Sequence, residues 1–176
     1  INCDFPIWAE SAVGFFPEVS LNLFVTGGVT SLLPALVGLN TARGRVSAGE
    51  NGLSALPGRE VEARVAIEQA FDYAAKIDAK AVHVTAGKAR GDAAREAFLS
   101  NLSFACDLAR PEGRTVLIEP LNAVSAPEYF LENTFQAADI IQTLGRKELR
   151  LMFDCFHVQM TEGNLTHRLN DLFPLI

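Results

Sequence analysis

Three apolar runs in this chain each end in a polar side chain able to do chemistry, and they recur at nearly equal spacing. They are Ala81–Thr85 (AVHVT), Val116–Asn122 (VLIEPLN) and Leu149–His157 (LRLMFDCFH). His83 precedes Glu119 by 36 residues and Glu119 precedes Asp154 by 35. A step of that size is about one strand, one crossover helix and the return to the next parallel strand. The spacing therefore predicts an α/β fold with His83, Glu119 and Asp154 at equivalent heights on consecutive strands. Polar groups at the carboxyl ends of parallel strands line the active sites of such folds.

Periodicity between the runs supports this order. Apolar residues at Val61, Val65, Ile67, Ala70, Phe71, Ala74 and Ile77 predict an amphipathic helix over Glu60–Ile77. Ala79–Ala86 predicts a strand broken by Gly87. A second helix is expected from Asp92, as its N-cap, to the residue before Pro111. Strands are expected over Thr115–Leu121 and Leu149–Phe156, with a helix over Thr134–Leu144 closed by Gly145. Leu165–Phe173 predicts a last helix. Ile1–Pro6 and Ser31–Asn40 suggest earlier strands. Residues 41–60 hold four glycines and one proline and predict a long loop.

With 176 residues, 49% of them hydrophobic, one core and one domain over 1–176 are expected, 1–36 being the least readable part. Twenty-one acidic residues against fifteen basic ones give a net charge of −6 and argue against nucleic acid or an anionic membrane as partner. The stretch between Glu18 and Arg43 carries no charge. Its glycines, Pro34 and short apolar runs predict buried strand and loop in place of a membrane span. Cys3, Cys106 and Cys155 lack CxxC spacing; Cys106 in a helix and Cys155 in a strand read as small buried hydrophobes, which fits a reducing, cytoplasmic compartment. The chain starts at Ile1 and not at Met, its first residues show no basic-then-apolar signal pattern, and it is expected to be a fragment.

Pro120 biases Glu119 to extended geometry, so its carboxylate can point into a pocket. Adjacent parallel strands lie about 5 Å apart, which brings Glu119 and Asp154 together. Two close carboxylates repel unless they share a proton or a cation, and a hard divalent ion such as Mg²⁺ or Mn²⁺ resolves this. The competing reading is a carboxylate that caps the next helix or pairs with an arginine. His157 sits at the exit from the third strand, facing the pocket or serving as a structural hydrogen-bonding residue. His83 reads as buried behind the site as readily as catalytic, and His167 as solvated. The segment Gly87–Asp92 hints at a phosphate loop but lacks the spacing of one.

The motifs LIEPLN, APEYFLENTFQAADIIQTLG and LRLMFDCFHVQMTEGNL, in this order, together resemble the hydroxypyruvate isomerase family of the xylose-isomerase-like TIM barrels; GENGLSALPGRE and AVHVTAG add to the likeness, which spans roughly residues 37–176. The resemblance implies a (β/α)8 barrel, incomplete here with five or six βα units, since a full barrel takes about 250 residues. It also implies conversion of hydroxypyruvate to tartronate semialdehyde through an enediolate. Glu119 is then similar to the family's metal-binding glutamate that takes part in proton transfer, and Asp154 to its metal-binding aspartate. His157, His83 and Asn122 are similar to substrate-binding positions. The implied cofactor is Mg²⁺ or Mn²⁺ and the implied partner a small hydroxy-oxo acid; separately, the exposed sheet edges of an open barrel invite association, which would make a homo-oligomer. Ala123-Val124-Ser125 stands where relatives handling larger sugars carry charge, which favours a small substrate over that of a ketose 3-epimerase. A truncated, non-catalytic form is the other alternative, because the family's remaining ligands lie on strands after Ile176. A multi-metal nuclease of the same group would need more histidines and a basic face.

Overall fold

Short β-rich runs separated by one-sided apolar helices pair side by side with a helix packed over each crossover. In the computed structural model, residues 52–76 and 79–176 are described. The order is α1 (Glu60–Lys76), β1 (Ala81–His83), α2 (Asp92–Glu112), β2 (Thr115–Ile118), α3 (Thr134–Leu144), β3 (Leu149–Leu151), α4 (Cys155–Thr161) and α5 (Leu165–Leu172), followed by a 3-10 turn at Phe173–Leu175. The strands expected at 1–6 and 31–40, the charge-free stretch, Cys3 and the loop before residue 52 lie outside the described residues. Among those described, no helix is long and apolar enough to cross a membrane.

The strands form one parallel sheet in the order β1-β2-β3. Ala81 lies beside Thr115, a step of 34 residues, and Val116 beside Leu149, a step of 33. The polar residues are spaced two residues wider than the register at each step. His83, Glu119 and Asp154 thus share one face, because side chains alternate with period two. They do not share one height, as equal spacing had suggested: each stands two residues further along than the one before.

The helices obey their apolar patterns with instructive exceptions. On α1, Ala63, Ile67, Phe71 and Ala74 are buried, whereas Val61 and Val65 face solvent. Ile77 is outside the described residues. On α2, Gly91 occupies the cap position with φ 83°, and Asp92 starts the helix, where its charge favours the N-terminal dipole. The helix runs through Pro111 to Gly113, whose left-handed conformation ends it. Proline's fixed φ suits a helix and forfeits only one amide bond in this last turn. On α3, Asn133 caps by accepting from the Gln136 N–H at 2.9 Å, and Gly145 closes the helix by donating its N–H to the Ile141 carbonyl.

The largest difference follows β3. The strand expected to reach Phe156 stops at Leu151, and Asp154 turns the chain into α4 by accepting the Phe156 and His157 amides. Cys155 is therefore an exposed first helical residue and not a buried strand hydrophobe. Cys106 is buried as expected, and desolvation pushes its thiol up to about 11. His167 is exposed, 3.3 Å from Asp171 one helical turn on.

The core is built of Phe98 and Leu102 on α2, Ile118 on β2, Ile140 on α3, and Leu149 and Leu151 on β3, all within 1% of full burial. Leu102→Ala opens a cavity beneath the sheet and is expected to cost about 2–5 kcal/mol, measured from the urea midpoint. A cost under about 1 kcal/mol would mean that this packing is not what holds α2 down.

Candidate active site

The carboxyl ends of the strands carry the site, and the backbone there is closely fitted. Gly87, just past β1, has φ 92°, and a Cβ on it would stand 1.8 Å from the Gly52 carbonyl oxygen. Ala55 donates its N–H to Ala86 O, and Phe130 donates to Gly87 O. The segment after Gly52 and the loop before α3 are in this way tied to the end of β1. Tyr129 adds to the tie: its hydroxyl accepts the Ala86 N–H at 2.9 Å. Burial pushes this phenol well above its ordinary range, and the Glu119 carboxylate adds to the shift. Sequence reasoning passed over Tyr129, which gives itself away only by lying in the loop that joins β2 to α3.

Glu119 is the first residue past β2 and is buried, 9% exposed. Asp154 is half-buried, with its Oδ1 accepting from Phe156 N at 2.7 Å and His157 N at 3.4 Å. It fulfils the helix-capping reading, and it also meets Glu119. Glu119, Asp154 and His157 each offer a ligand atom, and these atoms lie within 4.8 Å of one another. Two carboxylates at that separation fit a hard divalent cation, which prefers oxygen donors. This is the one such group found among the described residues.

His157 sits in the first turn of α4. Its Nδ1 lies 3.1 Å from the Asn122 backbone N and 2.8 Å from Asn122 Nδ2. Asn122 is 1% exposed. Its Oδ1 accepts from Val124 N at 3.1 Å and Ser125 N at 2.9 Å, and its Nδ2 lies 3.2 Å from Ser125 Oγ. Burial lowers the His157 pKa, against the nearby Asp154 carboxylate.

His83 ends β1. Its Nε2 is 3.9 Å from Glu119 Oε2, is shut off from solvent and has no hydrogen-bond partner among the described residues. Desolvation drops its pKa from 6.5 to about 4, so the contact joins a neutral imidazole to a carboxylate and is not an ion pair at neutral pH. Of the five predicted positions, His83, Glu119, Asp154 and His157 thus gather at one sheet end, and the fifth, Asn122, lies against the His157 ring.

The depressed His83 pKa has a consequence for stability. The unfolded chain takes up this proton first as pH falls, so stability is full above pH 6.5 and declines as pH drops through 6.5 towards about 4. His83→Gln is expected to flatten this part of the curve in urea titrations; an unchanged slope would show that His83 is not buried as a neutral ring.

A family model described as a xylose isomerase-like TIM barrel matches residues 30–174. A 2-oxo-tetronate isomerase of Cupriavidus necator is 42% identical over 134 residues, covering 74% of this chain and 52% of its own length. A hydroxypyruvate isomerase of Escherichia coli is 33% identical over 132 residues, 73% of this chain and 51% of its own. Among solved structures, an AP endonuclease of family 2 from Brucella melitensis superposes with a TM-score of 0.70 at 33% identity, covering 74% of this chain and 52% of that one. The chain spans about half the length of these relatives. With its parallel strands, crossover helices and polar strand ends, the chain belongs to the xylose isomerase-like TIM-barrel family.

Proposed function

We propose that the protein is an isomerase that moves the carbonyl of a short hydroxy-oxo acid to the neighbouring carbon, interconverting hydroxypyruvate and tartronate semialdehyde. The observation that carries this reading is the meeting of Glu119, Asp154 and His157 within 4.8 Å at the strand ends. Moving a carbonyl requires breaking a C–H bond beside it, holding an enediolate, returning the proton to the former carbonyl carbon, and passing the hydroxyl proton from the oxygen that becomes the carbonyl to the oxygen that ceases to be one. Glu119, a buried carboxylate directed at this spot, takes the proton and gives it back. His157, its ring held from behind by Asn122, hydrogen-bonds a substrate oxygen. Neutral His83 packs against Glu119 and keeps water from its inner side.

Glu119 and Asp154 would hold a divalent cation, Mg²⁺ or Mn²⁺, whose chemistry when bound is to lower the cost of negative charge on the substrate oxygens. The substrate class is a small acid, and the chain's excess of acidic residues works against nucleic acid. A homo-oligomer in the cytoplasm is the setting that fits this reading.

A second substrate is favoured by one observation. The 42%-identical relative is named for 2-oxo-tetronate, a four-carbon acid on which the same proton transfer would operate. Incubation of the protein with each acid in the presence of Mg²⁺ or Mn²⁺, followed by NMR of the products, tests the proposal. Isomerised product from hydroxypyruvate is expected, turnover of 2-oxo-tetronate alone would move the assignment to the longer acid, and no turnover of either would overturn it.

A further inference from the structure

The hydrogen bonds around Asn122 assign it a role that the positions of Glu119 and Asp154 do not reveal. Its Oδ1 accepts two backbone amides, from Val124 and Ser125. A backbone N–H cannot accept, so the amide group can be placed only one way round, with Nδ2 turned to the other side. Nδ2 carries two hydrogens, and its two neighbours there are Ser125 Oγ at 3.2 Å and His157 Nδ1 at 2.8 Å. The Asn122 backbone N–H also faces His157 Nδ1, at 3.1 Å. Two donors that cannot reverse their roles therefore confront one ring nitrogen, which must present its lone pair. In a neutral imidazole the other nitrogen then carries the hydrogen.

We propose that Asn122 is a positioning residue that holds His157 in the Nε2–H form, so that His157 acts as a hydrogen-bond donor to a substrate oxygen and not as a third metal ligand. A ligand nitrogen must offer a lone pair. Nδ1 is occupied by the Asn122 donors, and Nε2 carries the hydrogen. This separates the three-residue group into two carboxylates suited to a cation and one ring suited to the oxygen on which charge develops. The catalytic part of the inference rests on the isomerase reading; the assignment of the hydrogen does not.

The two parts are tested separately. Long-range ¹H–¹⁵N NMR of the wild-type protein with labelled histidine reports which ring nitrogen of His157 carries the hydrogen, with His157→Gln assigning the signal. An Nε2–H signature is expected, and an Nδ1–H signature overturns the proposal whatever the activity. Asn122→Asp preserves size and the Oδ1 turn but places an acceptor where Nδ2 donated. It is expected to shift His157 towards Nδ1–H and to lower kcat on the order of 10²-fold with little change in KM. If the variant misfolds, the wild-type spectrum still decides the hydrogen's place. Unchanged kcat with a shifted spectrum would refute the positioning role, whereas loss of all turnover in the wild type would refute the isomerase reading and leave the spectrum to be judged alone.

Discussion

Glu119→Gln is expected to lower hydroxypyruvate isomerisation by about 10²–10⁴-fold, the contribution of a positioned acid–base group, and further if the same carboxylate holds a cation. The substitution keeps the side chain's volume and its place at the end of β2, so circular dichroism and the unfolding midpoint should change little. An amide cannot take the proton from carbon, and it is a poorer ligand for a hard cation than a carboxylate. Burial sharpens the effect, because at 9% exposure solvent offers no ready substitute base. Wild-type rates in this variant would remove Glu119 from the reaction. A loss of activity accompanied by unfolding would make it a structural residue, and the comparison of rate with midpoint separates the two.

The second large effect concerns the cation. Treatment with EDTA is expected to abolish turnover, and added Mg²⁺ or Mn²⁺ to restore it, while Ca²⁺, larger and more loosely coordinated, should restore less. Binding only to the folded protein stabilises it by mass action, so the same ions should raise the unfolding temperature, and Asp154→Asn should diminish that rise. Asp154 also caps α4. Asparagine keeps a capping oxygen, so the substitution isolates the charge from the cap. EDTA-insensitive turnover would rule out the cation.

The βα alternation was legible because each element is long or strongly patterned. Gly145 marks the end of α3 by local chemistry alone, and the structure places it there. The convergence of His83, Glu119 and Asp154 was legible from spacing, since a parallel sheet repeats its register over the strand-helix unit. Their relative heights were not, because they depend on the strand register, whose steps of 34 and 33 residues no local pattern announces. The helix α4 was hidden for a related reason. Leu-Met-Phe before Asp154 and Cys-Phe after it form one apolar run, and only the Asp154 carboxylate, by taking two amides, ends the extended chain there. Cys155 was misplaced as a result. The pairing of Asn122 with His157 joins residues 35 apart through side-chain atoms, and no local pattern announces it. Spacing located the site, whereas the division of labour within it depends on individual hydrogen bonds.

Solvent exchange follows the transferred proton itself. If Glu119 carries a proton between neighbouring carbons, hydroxypyruvate incubated with the protein and Mg²⁺ or Mn²⁺ in D₂O should acquire deuterium on carbon, seen by NMR or mass spectrometry, and Glu119→Gln should leave the substrate unlabelled. Equal labelling with Glu119→Gln would contradict proton transfer by Glu119.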